Sequence, residues 1–206
     1  MELPLKISLI AEGLFNRFGI KSISMDDVSK ELGISKKTLY KYFKDKDSMV
    51  HSIVESHVFE NEKSILHIIT SENNPINQFY KIAKHVINNP RKMNPAMIND
   101  LKKYHSASFA LFETHQSTNI LNHLKENIFS GQRLGLFRKQ INAEVIAHVF
   151  AMVSFSVFEN LTLNNLDISQ NDIFMEVTQY HLRAIATDQG IIEIDSINWK
   201  NYNPEQ

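Results

Sequence analysis

The chain has 206 residues, a formal net charge of -1 and no cysteine, which excludes disulfides and thiolate metal sites and suits a reducing cytoplasm. A hydrophobic content of 43% with 22% charged residues excludes a wholly disordered protein. The opening MELPLKISLIAEGLF has no basic leader before an apolar run, and no stretch reaches the roughly 18 apolar residues of a membrane helix, so neither secretion nor a membrane span is expected.

In chain order the spacing of apolar residues is that of helices almost throughout. Ile7, Ile10, Ala11, Leu14, Phe15 and Phe18 line one face of a first helix, which Gly19 stops. Ser24, with Asp27 three residues on, resembles a capping box for a second helix that buries Met25, Val28 and Leu32. Gly33 follows, where a chain leaving a helix often needs a positive φ. Ser35 caps a short third helix over Lys36–Tyr42, with Leu39 and Phe43 on its inner side. Asp45 caps a long fourth helix to about Thr70. Further helices are expected at Ile76–Asn88, Ala96–Lys103, Ser106–Ser130, Ala143–Leu163 and Asp172–Thr187, with the tail IIEIDSINW as a short extension or loose end. No strand or repeat is apparent. The chain reads as all-α, with about nine helices.

The distribution of charge points to a partner. Nine of the 22 Lys and Arg lie in the first 50 residues, which are net basic, while the remainder is net acidic. Five lysines and two tyrosines fall in ELGISKKTLYKYFKDK, residues 31–46. Two short helices joined by a tight turn at Gly33 have the form of a helix-turn-helix. With Leu39 and Phe43 turned inward, the third helix presents Lys36, Lys37, Thr38, Tyr40 and Lys41, and it fits the ~12 Å major groove of B-DNA. The tyrosine hydroxyls, Tyr42 included, reach phosphate oxygens. Lys46, in the first turn of the fourth helix, adds its charge to free N–H groups that suit a phosphate. The plain alternative is a solvated lysine face on a small helix, against which Tyr40 and Tyr42 count.

The stretch SMDDVSKELGISKKTLYKYFKDKDSMV resembles the DNA-binding domain of the tetracycline-repressor (TetR) family of bacterial transcription regulators. The family's Ser or Thr cap is matched by Ser24. Its Ala-Gly-Val-Ser run is matched by Leu32-Gly33-Ile34-Ser35, its Thr-Leu-Tyr-x-Tyr-Phe run by Thr38-Leu39-Tyr40-Lys41-Tyr42-Phe43, and its Ser-Lys pair by Asp45-Lys46. Leu32 and Ser29 depart where alanine is common, and Lys37 where a small residue is usual. The resemblance covers about residues 5–60, and NPAMINDLKKYH and GQRLGLFR match more loosely. It implies a helix-turn-helix domain over 1–48 and a helical effector-binding and dimerisation domain over 49–206. It adds Ser24 and Ser35 to the DNA contacts. It further implies a homodimer that reads a palindromic operator, a small-molecule effector of unknown identity, and repression as the commoner mode.

The second half supports a symmetric partner. Ile146, Val149, Phe150, Val153 and Val157 form one apolar face of the helix over 143–158, and Val145, Met152 and Phe155 lie off it. A helix apolar nearly all round needs cover on two sides. With Ile173, Phe174, Val177 and Tyr180 of the next helix, these residues are expected to build a four-helix interface between two copies. A buried hairpin within one chain is the alternative. Polar His57 and Asn61 interrupt the apolar stripe of the fourth helix, and Tyr104, His105, Phe109, Phe112, His115 and Phe155 are candidates for a pocket, with ordinary core as the other reading. Nine histidines show no HExxH or His-x3-His spacing, so neither a metal, a cofactor nor a catalytic site is expected. Two other readings remain: a DNA-binding factor without a small-molecule effector, and an all-α ligand-binding protein or enzyme that does not bind DNA.

Overall fold

A computed structural model describes residues 2–89, 91–159 and 167–200. Its helices are α1 (Leu3–Phe18), α2 (Met25–Glu31), α3 (Lys36–Tyr40), α4 (Lys46–Ser71), α5 (Pro75–Asn88), α6 (Pro95–Tyr104), α7 (Ser106–Thr114), α8 (Leu121–Arg133), α9 (Ala143–Glu159), α10 (Gln170–Ile185) and α11 (Asp188–Asp195). A π-helical turn, His115–Ile120, joins α7 to α8. The expected single helix over 106–130 is therefore two α-helical pieces around a wide turn, where Ser117, Thr118 and Asn119 are weak helix formers in succession. Counting that pair as one gives ten helices among the described residues, one more than expected, because the tail folds as α11. The expected end of α9 at Leu163 lies outside the described residues. Among them there is no strand, only one isolated antiparallel bridge between Phe137 and Ala186.

The chain divides into two compact units. The first comprises the residues through Asn61 together with Met93–Gln116, and the second comprises Glu62–Lys92 with the residues from Ser117 onward. The first unit is built around Ile7, Ala11 and Phe15 of α1, Val28 of α2 and Leu39 of α3. Met49, Val50, Ile53 and Val54 of α4 join them, and Met97, Leu101 and Phe112 close the same core from α6 and α7. This compact unit thus extends past position 48, because α4 and α6 supply walls that three short helices lack.

The second unit packs α5, α8, α9, α10 and α11 around Ile76, Phe79, Ile128, Phe137, Ala147, Phe150, Leu182 and Ile194. An adjoining cluster holds Ala83, Ile87, Val157, Phe174 and Met175. The loop after α8 turns back at once: the amides of Leu136 and Phe137 both donate to the Gly131 carbonyl, at 2.9 and 3.1 Å. Gly131 has no room for a side chain, since a Cβ there would stand 2.0 Å from the Phe137 ring.

Candidate nucleic-acid interface

Local signals in the sequence fix the geometry of α2 and α3. Ser24 caps α2: its Oγ accepts from the Asp27 amide at 3.2 Å, while the Ser24 amide donates to the Asp27 carboxylate at 2.8 Å. The same carboxylate accepts from the Ser24 hydroxyl at 2.6 Å. The side-chain bond from Ser24, then the backbone bond, hold the Asp27 carboxyl below its ordinary range. Gly33 takes φ +65°, and the Ile34 amide returns to the Ser29 carbonyl at 3.0 Å, which closes the turn. Ser35 caps α3 by accepting from the Thr38 amide at 3.1 Å, and its hydroxyl also shares a 2.9 Å bond with the Thr38 hydroxyl.

α3 is shorter than the spacing suggested. It ends at Tyr40, and the amides of Lys41 and Tyr42 turn to Thr38 and Leu39, three residues back. Such bonds tighten the last turn into 3₁₀ form. Leu39 is fully buried and Phe43 nearly so, and together they pin the segment to the core. Lys36, Lys37, Lys41, Tyr40 and Tyr42 are exposed, with Thr38 half-buried beside them. Tyr40 and Tyr42 leave 49% and 46% of their surface in solvent, an unusual exposure for two neighbouring aromatic rings.

Two of the lysines differ from the simple expectation. Lys36 pairs with Asp26 of α2, and the Asp26 hydrogen bond raises its pKa. Both partners remain substantially exposed, so the pair opens readily to a phosphate or a base edge. Lys46 is not a free cation at the start of α4. Its ammonium donates to the Ile20 carbonyl, and partial burial lowers its pKa. Lys46 therefore ties the α1–α2 turn to α4, and any phosphate it meets shares it with that carbonyl. Neither Asp26 nor the Ile20 carbonyl was singled out in the sequence. The first pairing was legible only as an acid near the start of α2, and the second, to a main-chain atom, left no signal.

Of the residues considered for a pocket, all but Phe155 lie in the first unit. Asn61 and His115 are joined at 3.1 Å, and His57 lies 3.8 Å from Glu12 with both side chains almost fully buried. His105 stands 2.7 Å from Asp47, and Phe112 belongs to the core of the first unit with Phe109 packed on it. Tyr104 is 43% exposed between Lys21 and Lys103. Phe155 belongs to the second unit, where it is 42% exposed.

The residues considered for a dimer face separate into two groups. Val149, Val153 and Tyr180 are exposed, Val177 is half-buried, and Met152 beside them is 70% exposed. Phe150, Val157 and Phe174 are covered inside the unit, and the Phe150 ring packs edge-on against Phe79 at 4.8 Å. This corrects their assignment: α9 turns Ala143, Ala147, Phe150 and Val157 inward and the opposite side outward. Among the described residues no cluster of His, Cys, Asp and Glu could hold a metal, and no helix is long and apolar enough to cross a membrane.

Comparison with known proteins agrees with this geometry. Residues 10–53 match the family model for bacterial regulatory proteins of the tetR family. An uncharacterized HTH-type transcriptional regulator of Bacillus subtilis, YvaF, is 37% identical over 87 residues, 41% of this chain and 45% of that protein. An HTH-type transcriptional regulator of Staphylococcus aureus strain USA300 is 42% identical over 50 residues, 24% of this chain and 27% of that protein. The matched region thus spans less than half the length of these curated relatives.

Solved structures extend the likeness in fold to most of the chain. A transcriptional regulator from Saccharomonospora viridis in complex with choline gives a TM-score of 0.76 at 14% identity, covering 89% of this chain and 97% of that one. A TetR-family regulator from Agrobacterium tumefaciens gives 0.70 at 18% identity, covering 89% and 97%. The capped helix pair lies within the stretch, residues 10–53, that is similar to bacterial regulatory proteins of the tetR family.

Proposed function

We propose that the chain is a dimeric, sequence-specific DNA-binding transcriptional regulator, a repressor that a small molecule releases. The single observation that carries the reading is α3, which buries Leu39 and holds a cationic, tyrosine-bearing face in solvent. Lys36, Lys37, Thr38, Tyr40 and Lys41 enter the major groove. Tyr42, Ser24, Ser35 and Lys46 lie against the backbone, Lys46 through what its bond to Ile20 leaves free. Residues 1–48 read DNA, and 49–206 carry the effector and dimer functions. Two copies, meeting through the exposed side of α9 with Tyr180 and Val177 of α10, place two reading helices about one DNA turn apart, ~34–36 Å.

The effector rests on likeness: the S. viridis regulator, with its choline, has this fold. An effector acts only by binding one spacing of the reading helices better than another. The test is selection of duplexes from a random pool by the full-length protein. A palindrome is expected to emerge. Lys36→Ala and Tyr42→Ala are expected to weaken binding to it about tenfold each, a change of ~1.4 kcal/mol, of the size of one lost base or phosphate contact. Equal binding by the wild type and both variants defeats the assignment.

A further inference from the structure

A cluster outside the helix-turn-helix carries an inference of its own. Tyr104 is the last residue of α6. The Lys21 ammonium stands 5.3 Å from the centre of its ring and the Lys103 ammonium 5.4 Å. Both lysines are exposed, and among the described residues neither ammonium has a carboxylate within ion-pair distance. Lys21, then Lys103, hold the Tyr104 hydroxyl below the usual phenol range.

The cluster is tied to the α1–α2 turn and, through it, to the start of α4. The Lys21 amide donates to Asp100 of α6 at 2.9 Å. Just before it, Gly19 turns with φ +79° so close that a Cβ would lie 3.0 Å from the same carboxylate. The neighbouring Ile20 carbonyl accepts from Lys46 at the start of α4. Asp100 and Asp27 both act on the charge of Lys46. Lys46 is therefore bonded to the residue next to Lys21 and lies within electrostatic reach of Asp100, Asp47 and Asp27. The nearby acids are engaged, Asp100 by the Lys21 amide and Asp47 by His105.

We propose that Lys21, Lys103 and Tyr104 form a second seat for a DNA backbone phosphate, supplied by α6 and the α1–α2 turn rather than by the helix-turn-helix. Two ammonium groups and a phenolic hydroxyl give several donors and a net positive charge for one phosphodiester oxygen pair. Such a contact positions the duplex and carries no base information. The inference rests on the reading of the chain as a DNA-binding protein.

The test uses the full-length protein, the duplex it selects from a random pool, and a scrambled duplex of equal length. Affinities are measured by fluorescence anisotropy between about 50 and 200 mM salt. In the double variant Lys21→Gln, Lys103→Gln the slope of log affinity against log salt is expected to fall by about 0.9 for each protomer. The dissociation constant is expected to rise about tenfold or more at the lower salt, by the same factor on both duplexes. Tyr104→Phe is expected to weaken binding a few-fold with the slope kept. Thermal melting of both variants, whose changed groups are exposed, checks the fold. A wild type that binds beside a double variant of unchanged slope overturns this seat alone, as does a loss confined to the selected duplex. A wild type that retains no duplex overturns the DNA-binding reading with it.

Discussion

α3 buries one side chain, Leu39, and turns lysines and tyrosines to solvent, whereas α9 buries Ala143, Ala147, Phe150 and Val157 and still turns Val145, Val149, Met152, Val153 and Phe155 outward. Both helices expose what an isolated protein gains little from exposing. The cations of α3 lose little in water and gain by neutralising a polyanion, with a strong dependence on salt. The apolar side of α9 loses in water and gains by meeting another apolar surface, with little dependence on salt. On the proposed reading, one helix meets a nucleic acid and the other a protein. The outer side of α9 and Tyr180 of α10 are exposed, and the proposed reading places them at the two-fold interface.

The largest expected effect comes from charging the apolar side. Val149→Glu with Val153→Glu puts four carboxylates into a two-fold interface, where each unpaired buried charge costs several kcal/mol. Sedimentation is expected to show a monomer, and affinity for the selected duplex to fall by roughly 100-fold or more, since one reading helix then acts alone. A variant that remains dimeric would remove α9 from the interface.

A second change examines the inner side of the same helix. His181 of α10 lies against Phe150 and Phe79, with ring centres 4.4 and 5.7 Å away, and burial lowers its pKa to about 4. Its folded pKa is below the unfolded value of about 6.5, so the unfolded chain binds the proton more readily. The stability from keeping this ring neutral is complete above pH ~6.5 and drains away as pH falls toward 4, by about 2–3 kcal/mol. In His181→Phe that acid loss is expected to shrink by this amount in denaturant melts between about pH 7 and 4.5. Parallel profiles for the two proteins would show that His181 is solvated in the folded state.

The smallest effect sharpens the other half of the comparison. Ser24→Ala removes the α2 cap and is expected to cost about 1 kcal/mol of stability. The acid limb should also shift, because Asp27, held below its usual range by Ser24, then titrates nearer its ordinary value. DNA affinity is expected to drop only a few-fold, as for one lost backbone contact. A loss as large as that of the α9 variant would mean that Ser24 orients α3 itself.

Much of the reading face was legible because its signals are local. The Ser24–Asp27 box, the positive φ of Gly33, the Ser35 cap and the Leu39–Phe43 spacing are each written within a few residues, and each is present. What remained hidden depends on partners distant in sequence. The bond of Lys46 to a main-chain oxygen 26 residues away leaves no pattern in side-chain types. Lys21 and Lys103 are ordinary surface lysines until Tyr104 stands between them. On α9 the apolar residues run nearly all round, so spacing alone does not choose the inward side, and Phe150 and Val157 were assigned outward for that reason. The π turn at 115–120 was invisible because it conserves the apolar character on both sides while changing the pitch.

Met97, Leu101 and Phe112 complete the core around α1–α4 from a stretch that returns about forty residues further along the chain. On the proposed reading, operator choice is therefore not a matter of the opening segment alone. Were the first sixty residues traded with those of a relative, the transplanted helices would meet walls shaped for other neighbours, and the chimera would lose fit before it gained a new operator. An exchange that carries positions 93–116 along with them keeps both sides of the joint native.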